Sequence, residues 1–241
     1  MLTLVKELRA GVAGVRCKIS HVWRMTVRSL AIVTRRYFSR RMEEGLTIVI
    51  PAAGASSRMR GRDKLLMDVG GEPLLRRQVR AALGTGHPVI VALPVAHQAR
   101  HRVIADLPVR IADVRDAAAG MGTSIAEAVR IAGPSRIMIL PADMPHLGTP
   151  EIKALIDAAS TTPSRIWRAM DAAGTPGHPV LLPLSFYDRL TALSGDDGAR
   201  VLLKDERVML AALPGDAALL DLDTPEVWEA FRKSETEAKL R

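Results

Sequence analysis

The residues best suited to chemistry lie in one short stretch, PAAGASSRMRGRDKLL (residues 51–66), and in two acidic turns far downstream. The stretch follows the apolar run Leu46–Ile50 and carries four positive charges, Arg58, Arg60, Arg62 and Lys64. Gly54 permits close backbone approach. Ala53 to Ser57 are small enough to turn N–H groups toward an anion. Arg58 offers a two-pronged fork and Lys64 a point charge, both able to neutralise phosphate. Neither a G-x-x-x-x-G-K-[ST] loop nor a G-x-G-x-x-G fingerprint is present, and no acid follows the second strand run, which ends Ala92-Leu93-Pro94. Read alone, the stretch fits a solvated strand-to-helix turn as well as a phosphate loop.

The acidic turns are PADMP (141–145) and DLDTPE (221–226). An Asp in a Pro-flanked turn at the carboxyl end of a strand suits a hard cation; Asp143 also fits a plain turn residue. Asp221 and Asp223 share a face by alternation if the run 218–222 is a strand, and Asp223 fits a helix-entry residue too. GMGTSI (120–125) joins a glycine turn to a helix expected near Thr123, whose hydroxyls suit either a nucleotide or a helix cap. His178 in GTPGHPV and Asp197 in GDDGAR complete the candidates, each with a structural alternative.

These residues need a scaffold, and the chain alternates accordingly. Strand-length apolar runs occur at 46–50, 88–93, 109–112, 136–140, 165–170, 178–183, 208–213 and 218–222. Helical patterns lie at 73–86, 97–106, 123–132, 150–159, 184–193, 197–204 and 224–233. The early strands are continuous apolar runs, as in a mostly parallel sheet covered on both faces. The expectation is a three-layer α/β/α, Rossmann-like domain over residues 45–233, with a frayed tail at 234–241. In such a sheet the loop after the first strand sits at the carboxyl edge, where ligands bind.

Composition narrows the function. Aromatics are only 3% of the 241 residues, so the core is aliphatic. Residues 1–44 hold ten Lys/Arg and three Glu, so nearly all of the +8 net charge lies there and the body is close to neutral. A nucleic-acid reader is not expected from such a body. Arg24 and Arg28 break the apolar stretches of the first 44 residues, which excludes a membrane span there. The expectation is a disordered extension, with translation starting at Met42. The single cysteine, Cys17, excludes an internal disulfide and points to a cytoplasmic setting.

AAGASSRM with DKLL resembles the A-A-G-x-S-x-R-M-G-x-x-K-L-L signature of nucleotidyltransferases with a GT-A-like nucleoside-triphosphate-transferase fold, and most of all the molybdenum cofactor cytidylyltransferases. GMGTSI, PADMP, GTPGHPVLLP with GDDGAR, and DLDTPE follow in the family's order across residues 46–230. One departure stands out: Arg60 replaces the glycine after R-M. The resemblance implies transfer of CMP from CTP to the phosphate of molybdopterin, with pyrophosphate released and Mg²⁺ required. It implies catalytic roles for Lys64, Arg58 and Asp143. It implies nucleotide contacts from Ala52, Ala53, Gly54, Ala55, Ser56, Ser57, Gly122, Thr123 and Ser124. His178 and Asp197 would meet the acceptor, and Asp143 with Asp223, or Asp221 in its place, would hold the metal. Guanylyl members carry A-G-G and D-K-G-L where this chain has Ala52-Ala53-Gly54 and Lys64-Leu65-Leu66; the extra methyl of Ala53 is expected to narrow the pocket near the base. A molybdenum hydroxylase would receive the product. Cytidylyl transfer to another phosphate, a nicotinamide-dependent reductase and a non-catalytic cofactor chaperone are the competing readings.

Overall fold

The computed structural model describes residues 45–204 and 206–239. The expected N-terminal extension and the start at Met42 lie outside the described residues. The apolar runs form β1 (Leu46–Pro51), β4 (Val89–Pro94), β5 (Arg110–Val114), β6 (Arg136–Ile139), β7 (Ile166–Met170), β8 (Pro176–Leu182) and β9 (Val208–Ala212) of one seven-stranded sheet. Its order is β5-β4-β1-β6-β8-β7-β9, and only β8 runs antiparallel to its neighbours. A small hairpin, β2 (Asp68–Val69) with β3 (Glu72–Pro73), follows the basic stretch.

Alternation along the strands feeds two core layers. Ile48, Ile50, Val91 and Leu93 point to one side, where α1 (Leu74–Leu83) brings Leu75, Val79 and Ala82 and α4 (Thr149–Ser160) brings Ile152 and Leu155. Val49, Ile90 and Ala92 point to the other, where α3 (Met121–Ala132) brings Ile125 and Val129 and α5 (Tyr187–Thr191) brings Leu190. The α/β/α layering is therefore as expected. Short α2 (Gln98–Arg102) follows β4, and α6 (Pro225–Lys239) closes the chain. A third, smaller cluster of Met59, Leu74, Leu222, Trp228 and Phe231 packs α6 against the basic stretch.

The structure differs from the sequence reading in several elements. Residues 218–222 are not a strand. Leu219 and Leu220 N–H groups both reach the Asp216 carbonyl, at 2.8 and 2.9 Å, which closes a turn before any ladder can form. Residues 197–204 form a 3-10 turn, Ala199–Leu203, in place of an α-helix. The last helix continues to Lys239, through most of the tail expected to fray.

Candidate active site

The loops that leave β1 and β6 at their carboxyl ends bring the two halves of the site together. Asp63 opens a 3-10 turn, Lys64–Leu66, by accepting the Leu65 N–H at 3.0 Å. Leu65 is only 3% exposed and pins that turn to the core, which leaves Lys64 to reach across the sheet edge. Its Nζ donates to Asp143 Oδ2 at 2.5 Å and also to Asp223 Oδ1. Arg58 Nη1 takes the other oxygen of Asp223 at 2.6 Å. The Leu222 N–H donates to the Asp143 carbonyl at 3.0 Å, tying the two acidic segments by their backbones. The extended arm at 221–223 thus buries Leu222 and turns Asp221 and Asp223 outward, so they share a side without a strand.

Charge in this cluster is strongly coupled. Burial pulls the Lys64 ammonium down, but Asp143 and Asp223 outweigh it and hold the amine above its ordinary value. Burial pushes Asp223 up, and Lys64 with Arg58 outweighs that, leaving it below the usual carboxylate range. Asp221 goes the other way: burial, then the charges of Asp223 and Asp143, raise it, and Lys64 and Arg58 offset this only in part. At neutral pH the centre is therefore a lysine cation clasped by carboxylates.

Arg100, His97 and Asp63 were not singled out by sequence reasoning, yet they support the whole basic loop. Arg100 is 1% exposed. Its Nε and Nη2 bind both oxygens of Asp63 at 2.8 Å, and its Nη1 donates to the carbonyls of Ala52 and Gly54 at 2.7 and 2.8 Å. His97 Nε2 lies 3.1 Å from Asp63 Oδ2. The available signal was spacing: with 97–106 read as one helix, Arg100 stands four residues before Ile104, which is fully buried.

The remaining expected site residues are placed unevenly. Gly54, Ala55 and Ser57 are exposed along the loop and Ser56 is half-buried. Among the described residues a methyl built on Gly54 would meet nothing within 4 Å beyond its chain neighbours, so the space above that peptide is open. Ala52 and Ala53 are buried, at 2% and 4%, in opposite core layers. The Ala53 methyl fills space beneath the loop and so does not narrow the opening, contrary to expectation. α3 starts at Met121, earlier than Thr123, because Gly120 (φ 96°) caps it. The Gly122 N–H donates to Gly195 O at 2.9 Å, and added methyls at Gly120 or Gly122 would collide with backbone atoms of residues 194–197. These glycines therefore let the turn holding exposed Asp197 pack against α3. The Thr123 hydroxyl donates to Ala119 O and that of the buried Ser124 to Gly120 O. His178 is held on β8, its N–H donating to Ala218 O at 2.8 Å and its buried Nδ1 without a partner among the described residues. Burial, then Arg168, depress its imidazole, while Asp143 pulls it up. Arg60 adopts φ 53°, a left-handed conformation that glycine takes freely, and pairs with Glu226 at 2.6 Å.

Among the described residues no three His, Cys, Asp or Glu side chains form a ready-made metal cage. Asp143 and Asp223 instead meet as a pair of hard oxygen donors on the Lys64 ammonium, with Arg58 on the other oxygen of Asp223. One or two carboxylates, with the other ligands supplied by phosphate and water, is the set Mg²⁺ uses beside nucleotides. The residues present fit that ion.

A family description, MobA-like NTP transferase domain, matches residues 48–218, a span that holds Arg58, Lys64 and Asp143. The chain belongs to that family. This MobA-like chain is a nucleotidyltransferase. It is 30% identical over 194 residues to a molybdenum cofactor guanylyltransferase of Pseudomonas aeruginosa, covering 78% of this chain and 94% of the relative. It is 30% identical over 200 residues to the purine catabolism protein PucB of Bacillus subtilis, covering 77% and 95%. Among solved structures, Rv0371c of Mycobacterium tuberculosis H37Rv superposes with a TM-score of 0.68 at 25% identity, covering 77% of this chain and 96% of that one.

Proposed function

We propose that this MobA-like transferase moves CMP from CTP to the terminal phosphate of a molybdopterin-type acceptor, releasing pyrophosphate. The observation that carries the reading is the Lys64 ammonium held between Asp143 and Asp223, with Arg58 on the outer oxygen of Asp223. A binder without catalysis has no need of two acids, Asp143 and Asp223, brought onto one lysine from distant parts of the chain. A reductase would need a hydride carrier, for which the chain has no dinucleotide fingerprint.

In this mechanism a phosphate oxygen of the acceptor attacks the α-phosphorus. The bond from that phosphorus to the bridging oxygen breaks, and pyrophosphate carries the charge away. The attacking oxygen is already anionic, so no general base is needed, and positioning with charge neutralisation does the work. Asp143 and Asp223 would hold Mg²⁺, with Asp221 near them; the ion supplies charge neutralisation on the phosphates. Lys64 stabilises charge growing on the α-phosphate. The exposed loop around Gly54 and the Arg58 fork grip the outer phosphates. In this reading His178 and Asp197 would meet the acceptor, and the turn at Gly122–Ser124, whose hydroxyls are bonded to the carbonyls of Ala119 and Gly120, would border the nucleoside.

CTP is favoured because Ala52-Ala53-Gly54 and Lys64-Leu65-Leu66 resemble the cytidylyl pattern. GTP is the second reading, because the Pseudomonas relative is named a guanylyltransferase. The decisive experiment measures pyrophosphate release with each of the four ribonucleoside triphosphates against molybdopterin and a sugar phosphate, with and without Mg²⁺. Turnover with CTP, molybdopterin and Mg²⁺, at least about tenfold above GTP in kcat/KM, is expected. Preference for GTP, or turnover only with the sugar phosphate, overturns the assignment. A molybdenum hydroxylase as recipient of the product is part of the same proposal.

A further inference from the structure

The loop that faces the nucleotide is shaped from below by one buried arginine. Arg100 uses three nitrogens on five oxygens. Nη1 takes the carbonyls of Ala52 and Gly54, two residues apart in the loop, at 2.7 and 2.8 Å. Nε and Nη2 grip the Asp63 carboxylate at the loop's far end, and Nη2 also reaches Ser56 Oγ at 3.3 Å. Asp63 adjoins Lys64 and caps its turn. The beginning and end of the loop therefore share a single, fully buried anchor on α2.

Stereochemistry gives this anchor a consequence on the opposite side of the loop. The peptides Ala52–Ala53 and Gly54–Ala55 are trans, as are all those described apart from His178–Pro179. In a trans peptide the N–H points opposite to the C=O. With the carbonyls of Ala52 and Gly54 drawn down onto Arg100, the N–H groups of Ala53 and Ala55 point up and away from it. Among the described residues neither N–H meets a protein acceptor. Gly54, between them, has open space where a side chain would stand. Two unpaired N–H groups turned away from the anchor, beside an open peptide, make an anion cradle.

We propose that Arg100 is a positioning residue for phosphate binding: it fixes the two loop peptides so that the Ala53 and Ala55 N–H groups face the triphosphate, and through Asp63 it sets where Lys64 stands. Arg100 itself, beneath the loop, touches no substrate. The chemical reason for arginine is its planar fork, which serves two carbonyls and a carboxylate at once; a lysine ammonium cannot span all of them. This rests on reading the loop as a nucleotide site, so the test uses inorganic tripolyphosphate with Mg²⁺, a probe that needs neither the base nor the acceptor.

The full-length protein, labelled with nitrogen-15, is titrated with tripolyphosphate while the backbone amide signals and the Kd are followed. The wild type is expected to show its largest amide shifts at Ala53 and Ala55. Arg100→Lys is expected to raise the Kd by at least about tenfold, the scale for losing charge-assisted hydrogen bonds that organise a site, and to lose those two shifts. In Arg100→Gly, millimolar guanidinium is expected to restore them, a rescue that lost core packing would not show. If either variant fails to fold, Asp63→Asn, which leaves Arg100 in place but unclamps its carboxylate, is expected to weaken binding in the same direction. Wild-type affinity in Arg100→Lys or in Asp63→Asn, or amide shifts elsewhere with Ala53 and Ala55 unmoved, overturns the role of Arg100 and leaves the proposed reaction standing. Absence of tripolyphosphate binding by the wild type overturns the phosphate-loop reading itself, and this inference with it.

Discussion

Lys64 Nζ and Asp143 Oδ2 lie 2.5 Å apart although 79 residues separate them in the chain. Each side chain comes from a loop at the carboxyl edge of adjacent parallel strands, β1 and β6. The pair is only 15% and 19% exposed, and Asp223 closes it from a third segment. Lys64 and Arg58 balance the two acids in this arrangement until something else supplies charge, and a metal-bound triphosphate supplies both signs: the metal for the acids, the phosphates for Lys64 and Arg58.

That exchange predicts how the acids respond to substitution. Asp143→Asn and Asp223→Asn each remove one hard donor while keeping shape. Each is expected to raise the Mg²⁺ concentration for half-maximal pyrophosphate release by about tenfold or more, since outer and inner ligands of a metal site contribute on that scale. A metal titration of the rate that is unchanged in both variants would contradict the assignment of those acids.

Asp221 shifts in the opposite direction from Asp223. Burial and the charges of Asp223 and Asp143 raise its folded pKa above the usual carboxylate value. The folded state then holds the proton more tightly than the unfolded state. Stability falls as pH rises from the ordinary carboxylate value through the raised one, and the penalty is fully present above both. Asp221→Asn is therefore expected to raise Tm of the metal-free protein at pH 7 and to have a smaller effect at pH 3. Thermal melts across that range check it; a lower Tm at pH 7 would refute the sign.

Arg60 occupies a backbone conformation that costs a non-glycine residue about 1–2 kcal/mol. Its compensation is an ion pair with Glu226, with side chains 76% and 63% exposed, and such pairs contribute little. Arg60→Gly is expected to leave Tm unchanged or higher, by at most about 8 °C for a domain of this size, and to keep the wild-type KM for CTP. A marked rise in KM would show that Arg60 faces phosphate.

Gly177 is fixed by packing. A methyl there would lie 1.8 Å from Ala218 O, on the arm that leads to Asp221 and Asp223. Gly177→Ala must push that arm off β8. The expected cost is about 1–3 kcal/mol or more, seen as a lower denaturation midpoint, together with a reduced rate because Asp223 moves from Lys64. A variant as stable and as active as the wild type would show that the arm is not held in this register.

The parts legible in the sequence were those written in short-range pattern. Continuous apolar runs such as Leu46–Ile50 marked the buried strands, and Asp143 was conspicuous because it ends one of them between prolines. The run 218–222 misled, because its apolar residues serve a turn closed on Asp216 and an arm bonded to Asp143; composition does not distinguish these from a strand. The glycines of GMG also admit the backbone of residues 194–197, a packing demand that the local pattern does not display. Arg100 was overlooked since its partners, Ala52, Gly54 and Asp63, are 37 to 48 residues away. Only the fold brings them beneath one helix.

The central claim is that Lys64 acts on the transferring nucleotidyl group and does more than neutralise acids. The most direct measurement is single-turnover pyrophosphate release from CTP with molybdopterin and Mg²⁺, comparing wild type with Lys64→Ala at saturating substrate. A fall of about 100-fold or more in the rate constant, with a cooperative melt retained, is predicted for loss of a transition-state charge partner. A Lys64→Ala rate within a few-fold of wild type would contradict the account.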